Sequence, residues 1–201
     1  MATDKSDKSV ATRQTATIAG VDEVGRGALF GPVVAAAVIV PANIAAHLTE
    51  AGVTDSKKLS AAKREKLAGL IRLRSHCAVG KATCYEIDRI NILQASLLAM
   101  RRAVEQLPIE PQKCLVDGNQ RIPNLTIEQE TVIKGDQSEL AIAAASIIAK
   151  VWRDTLIIRL DKRYPGYDLA SNKGYGSAKH RQGIEKLGIC RQHRKSFRSC
   201  Q

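Results

Sequence analysis

The sequence predicts a single α/β domain, because strand-like and helix-like segments alternate along its 201 residues and 44% hydrophobic residues suffice for one core. Apolar runs are short. Val33–Val40 is fenced by Pro32 and Pro41, and Leu140–Ala149 is also well below the roughly 18–20 residues of a membrane span. Residues 1–16 are polar, mix acids with bases and lack the apolar stretch of a secretory signal. They are read as a disordered tail ahead of a domain over residues 17–201. The five cysteines are odd in number, widely spaced and without a CxxC pair, so neither a disulfide framework nor a zinc site is indicated. A soluble, cytoplasmic protein with reduced thiols is expected.

Taken in order, Thr17–Glu23 reads as a strand, and the Val- and Ala-rich Val33–Val40 as a second strand buried on both faces. The glycine-rich bend Gly25–Gly31 joins them. Cys77–Thr83 reads as a third strand, and Thr83 with Glu86 three residues on is a capping-box pattern that opens a helix running to about Leu107, before Pro108. Lys113–Asp117 is a short strand ending in a turn-like Asp-Gly-Asn. Thr131–Ile133 reads as another just before Gly135-Asp136, so both aspartates are expected at strand ends. A helix from about Ser138 to Arg163 carries Ala141, Ala144, Ala145, Ile148 and Trp152 on a surface small enough to lie close to a sheet. Tyr164-Pro165-Gly166 stops it, and a last helix is expected over Ala178–Leu187.

The formal net charge of +11 predicts attraction to polyanions. From Lys150 onward there are 13 Lys/Arg against 4 Asp/Glu, so the last quarter carries +9 and points to a basic C-terminal surface for nucleic acid. Charge alone does not separate an enzyme from a passive binder.

Asp22, Glu23, Asp117 and Asp136 stand at or beside predicted strand ends in apolar surroundings. Two carboxylates about 4 Å apart repel by roughly 4 kcal/mol at an effective dielectric near 20, a penalty that a divalent cation relieves. Oxygen ligands without cysteine or imidazole select Mg²⁺ or Mn²⁺ over Zn²⁺. One at a time the acids are ambiguous: Asp117 also suits a turn and Asp136 a helix N-cap. Strand alternation sends Glu23 to the face opposite Asp22 unless the strand bends or ends there.

The surrounding motifs resemble the ribonuclease HII family. They are Ile18-Ala-Gly-Val-Asp-Glu-Val-Gly-Arg-Gly27 followed by Gly31-Pro32-Val33-Val34, Asp55-Ser-Lys-Lys-Leu59, Val116-Asp-Gly-Asn119, and Lys134-Gly-Asp136 leading into Ala143-Ala-Ala-Ser-Ile-Ile-Ala-Lys-Val-Trp-Arg-Asp154. Asn172-Lys-Gly-Tyr-Gly176, His180 and His193-Arg-Lys-Ser-Phe197 continue the match, which spans Ile18 to Phe197 in order. Ser177 stands where the family pattern has threonine, and Cys190 falls in a segment that usually varies.

The resemblance implies an RNase H-like fold, a central mixed five-stranded sheet flanked by helices, with a helical basic C-terminal segment. It implies an endonuclease that hydrolyses the RNA strand of RNA–DNA hybrids and cuts on the 5′ side of ribonucleotides embedded in duplex DNA. Products with a 5′-phosphate and a 3′-hydroxyl, and roles in ribonucleotide and RNA-primer removal, come with it. Asp22, Glu23, Asp117 and Asp136 are then the catalytic acids and the ligands of two Mg²⁺ or Mn²⁺ ions. Gly25, Arg26 and Gly27 match a loop whose backbone approaches the 2′-hydroxyl, and Tyr175 matches a tyrosine that packs on the following sugar. Ser56, Lys57 and Lys58 are candidate phosphate contacts. His180 and His193 also match, with structural or phosphate-contacting roles expected. A monomer acting on nucleic acid, away from membranes, is expected.

The competing readings are a binding module of this kind without catalysis, which the four matched acids oppose, and a nucleotide-utilising enzyme, for which no P-loop is present. A dinucleotide-binding reading of Gly25–Gly31 is opposed by Pro32 and the extended run after it. The related type HIII enzymes carry an extra N-terminal domain, which is not expected here given the short polar stretch over residues 1–16.

Overall fold

The computed structural model describes residues 17–200, so the expected tail over residues 1–16 lies outside the described residues. Its strands are β1 (Ile18–Val24), β2 (Val33–Ile39), β3 (His76–Ala82), β4 (Lys113–Asp117) and β5 (Glu128–Val132). They form one sheet in the order β3-β2-β1-β4-β5. β2 pairs antiparallel with β1 and β3, whereas β4 pairs parallel with β1 and β5, giving the mixed sheet expected. The helices are α1 (Ala42–Glu50), α2 (Ala61–Arg74), α3 (Cys84–Glu105), α4 (Gly135–Ser138), α5 (Leu140–Asp161), α6 (Leu169–Asn172) and α7 (Ala178–Leu187).

Strand alternation divides the core into two layers. Ala19 and Val21 of β1 join Val33, Ala35 and Ala37 of β2 and Ala95, Ala99 and Ala103 of α3 on one face. On the other, Ala36 and Val38 of β2 pack with Leu67 and Ile71 of α2 and the buried surface of α5. Glycine sets the closeness of both helices. A Cβ on Gly20 would run into the main chain of α5 at Ala141 and Ile142, and one on Gly80 into Ala99 of α3. A third cluster of Phe30, Ile157, Tyr167 and Leu169 ties the C-terminal segment to the loop after β1.

The capping box at Thr83 forms as expected, with Thr83 and Glu86 each satisfying the other's backbone N–H. The helix it opens is not continuous. Asn91 adopts φ 64° and its Oδ1 accepts from the Gln94 amide at 3.1 Å, so a second helical segment is capped in mid-sequence. Helices α1 and α2 lie between Val40 and Cys77, where the sequence pattern predicts no helix. The fifth strand ends at Val132, so Asp136 lies beyond it in α4, and the extended Glu139 separates α4 from α5. Among the described residues no helix is long and apolar enough to cross a membrane.

Candidate active site

Register brings the first two acids together. Val21 of β1 faces Val116 of β4 in the parallel pair, so Asp22 and Asp117, one step further on, share one end of the sheet. Gly20 faces α5 and so does Asp22, towards the Ser146 hydroxyl. Asp22 is buried, and its Oδ1 accepts from the Glu23 amide at 2.7 Å. Burial first, then the charges of Glu23 and Asp117, hold its pKa well above the usual carboxylate range, while Ser146 pulls the other way.

Glu23 stays with the cluster despite the alternation that argued against it. Burial raises its pKa, Asp117 adds to the rise, and Arg26 opposes it through a contact of 3.3 Å between Nη1 and Oε1. Asp117 is held by the loop after β5, its Oδ1 accepting from the Gly135 amide at 2.8 Å. That bond places it at the start of α4, which presents the buried Asp136. Burial and then the charge of Asp136 raise the pKa of Asp117.

Lys57 meets this cluster from a separate loop. Asp55 caps a short 3₁₀ turn, Ser56–Lys58, by accepting from the Lys57 amide at 2.9 Å, and Lys57 Nζ donates to Asp136 Oδ2 at 3.0 Å. Its ammonium is a counter-cation to the acids, and the Asp136 bond raises its pKa. Ser56 departs from its expected phosphate contact: its hydroxyl is buried and shares a hydrogen bond of 2.8 Å with Ser146. Lys58 is exposed.

The glycine loop lies beside the acids. Gly25 has φ +91°, and a Cβ there would strike the Arg153 side chain, so its glycine is required by the fold itself. Gly27 has nothing within 4 Å of a would-be Cβ, which leaves its backbone open to approach. Arg26 is half exposed. The expected partner of this loop is adjacent: Tyr175 bridges Ala28, and its ring lies 5.5 Å from the Arg153 guanidinium and 5.9 Å from Lys150 Nζ.

Two fully buried arginines that the sequence reading counted as surface charge hold this corner together. Arg153 donates to the carbonyls of Pro32, Phe30 and Lys173 at 2.8–3.1 Å. Arg194 donates to Gly31 at 3.0 Å and to Arg26 at 2.7 Å. Burial, and for Arg194 also the charge of Arg153, lowers both pKa values, that of Arg194 to about 10. Like Ser146 and Asp55, they carry no separate signal in the sequence, although all four lie inside the family-like motifs.

All four acids are oxygen donors, gathered in neighbouring pairs whose mutual repulsion and burial are relieved in part by Lys57 and Arg26. Among the described residues no three acidic, histidine or cysteine side chains yet converge on one metal-sized point. In donor type and charge the set fits hard divalent cations.

The family model for ribonuclease HII matches residues 19–200. The chain belongs to the ribonuclease HII family. Ribonuclease HII of Acaryochloris marina is 69% identical over 92% of this chain and 93% of its own, and that of Trichodesmium erythraeum 63% over 91% and 87%. Among solved structures, ribonuclease H2 from Pyrococcus horikoshii superposes with a TM-score of 0.77 at 28% identity, covering 92% of this chain and 95% of that one. A Bst RNase HIII structure in complex with Mn²⁺ shares the fold at a TM-score of 0.71 and 20% identity, covering all of this chain and 73% of that one. As a ribonuclease HII the chain is a ribonuclease H, a metal-dependent endonuclease.

Proposed function

We propose that the chain hydrolyses the RNA strand of RNA–DNA hybrids and cuts on the 5′ side of single ribonucleotides within duplex DNA, leaving 5′-phosphate and 3′-hydroxyl ends. The observation that carries this is one corner of the fold: Asp22, Glu23, Asp117 and Asp136 beside the Gly25–Gly27 loop, with Tyr175 bridged to the loop's end. Asp22 and Asp117 would hold Mg²⁺ or Mn²⁺ with Asp136 and Glu23 completing the set. Two ions bound there would supply Lewis acidity for attack by water and neutralise charge on the leaving oxygen. The acids need no side-chain nucleophile beside them.

The protein's own work is positioning. Gly25-Arg26-Gly27 offers backbone groups to the 2′-hydroxyl, which is both donor and acceptor and marks RNA. The Tyr175 ring packs on the next sugar and favours one lacking that hydroxyl. Lys57, paired with Asp136, balances the acids and competes with a cation for that carboxylate, and Lys58 remains a phosphate contact. The enzyme is proposed to act as a cytoplasmic monomer, with residues 17–201 as one catalytic domain, in removing misplaced ribonucleotides and RNA primers.

The test is cleavage of a duplex carrying one ribonucleotide, in Mg²⁺ and in Mn²⁺, beside a continuous hybrid. A single cut 5′ to the ribonucleotide is expected. A shifted but uncut duplex in both metals would leave a binding module without catalysis.

A further inference from the structure

The buried pair His180 and His193 has its protons assigned by its neighbours. The Cys190 amide donates to His193 Nδ1 at 3.0 Å, so neutral His193 carries its proton on Nε2. That nitrogen lies 3.2 Å from His180 Nε2, which must therefore accept. The proton of His180 is then on Nδ1, 2.9 Å from the Tyr175 carbonyl oxygen, to which it donates. Each ring has one tautomer open to it, and all four ring nitrogens are engaged. Tyr167 and Phe30 enclose His193, with ring centroids at 4.8 and 5.2 Å, and burial favours the neutral rings.

The chain of donors ends on a residue of the proposed substrate site. Its two ends grip the same loop. Ala28 bridges Tyr175 and Phe30 bridges His193, while the Arg194 amide donates to the Leu29 carbonyl at 2.9 Å. The loop after Gly27 is thus held between two segments that the histidines join behind it. With no free nitrogen, neither ring is available for proton transfer to substrate.

We propose that His193 and His180 are positioning residues for recognition of the ribonucleotide–deoxyribonucleotide junction, acting by fixing the Tyr175 backbone, and with it the ring, against the glycine loop. This rests on the reading of Tyr175 as the residue that packs on the sugar. The role of the pair is directional. What matters is the hydrogen that His180 donates, and His193 matters because it makes that tautomer the only one.

Four variants and one spectrum test it. His180→Phe keeps an aromatic ring and removes both bonds, whereas His180→Asn can still donate to Tyr175. The ratio of kcat/KM on a single-ribonucleotide duplex to that on a continuous hybrid should fall about tenfold in His180→Phe, the rate equivalent of one hydrogen bond. It should recover most of that in His180→Asn. In a Tyr175→Ala background, His180→Phe should change the ratio no further. Nitrogen-15 shifts of the unmodified enzyme should show Nδ1–H on His180 and Nε2–H on His193, a readout independent of whether any variant folds. The opposite tautomer on His180, or an unchanged ratio in a folded His180→Phe while Tyr175→Ala lowers it, overturns the positioning role alone. An unchanged ratio in Tyr175→Ala overturns the reading of Tyr175, and the positioning role with it.

Discussion

Replacing Gly20 by alanine tests the packing that seats the acids. The added methyl would overlap the Ala141 carbonyl carbon and the Ile142 nitrogen, main-chain atoms of α5 that no rotamer change can move aside. To regain ordinary contact at ~3.5 Å, β1 and α5 must separate by about 1 Å or more. Overpacking costs about 1–3 kcal/mol, and rigid obstacles place Gly20→Ala near the top, about 3 kcal/mol. For a domain of this size that lowers Tm by roughly 6–12 °C. The same displacement draws Ser146 away from Asp22, and a misplacement of about 1 Å costs an active site about 10²-fold in turnover. The assay is thermal melting with single-turnover cleavage of a hybrid, using Gly69→Ala as control. Gly69 is an exposed glycine of α2 with nothing within 4 Å of an added Cβ, so its change should raise stability by about 0.5–1 kcal/mol. A Tm drop under about 2 °C in Gly20→Ala, with cleavage within about threefold of the parent, would refute the close β1–α5 approach as the support of Asp22.

Asp22→Asn and Asp117→Asn should each abolish cleavage yet melt at or above the parent in chelator at neutral pH. Their folded pKa values are raised, so the stability these groups contribute in acid is lost as pH rises and the ionised forms strain the fold. Asp136→Asn should also abolish cleavage but gain no stability, because it breaks the 3.0 Å pair with Lys57; a gain matching that of Asp22→Asn would deny that pair any weight. Burial and the neighbouring His180 depress the pKa of His193 to about 4. Stability should therefore be full above the unfolded pKa of about 6.5 and fall by about 3 kcal/mol as pH drops towards 4, with Asp168, Tyr167 and Cys190 as the other groups facing the pair. Urea midpoints should show a shallower loss in His193→Asn, and parallel curves would count against it. Duplex affinity should fall steeply with salt, and Lys179→Gln with Lys186→Gln, both exposed, should reduce the log–log slope by about 0.9 for each phosphate no longer neutralised. An unchanged slope removes α7 from the interface.

What could be read from sequence was local. β4 and α7 have their expected bounds, and the Thr83 capping box forms, because each is written in adjacent residues. The mixed sheet followed from the family motifs. Helices α1 and α2 escaped because Pro41 and Ser60 are modest start signals and the apolar positions of α2, Leu67, Ala68 and Ile71, are few among charged neighbours. The break at Asn91 escaped because a positive φ leaves the apolar pattern on either side intact. For the candidate site, the acids were named from motifs, but Asp136 was placed on a strand end when it belongs to α4. Counting charges made Arg153 and Arg194 part of a basic surface. Their burial depends on carbonyls more than a hundred residues away, which no local pattern reports.

The Arg194 bonds to Arg26 and Gly31 also bear on when the glycine loop can be secured during synthesis. Its partners are 168 and 163 residues earlier in the chain. At translation rates of about 5–20 residues per second, roughly 10–30 s separate the making of the glycine loop from the making of the arginine that secures it. Through that interval the acids of β1 exist without the clamp that orders the loop beside them. A chain that ended before Arg194 would therefore lack the two bonds that hold Arg26 and Gly31.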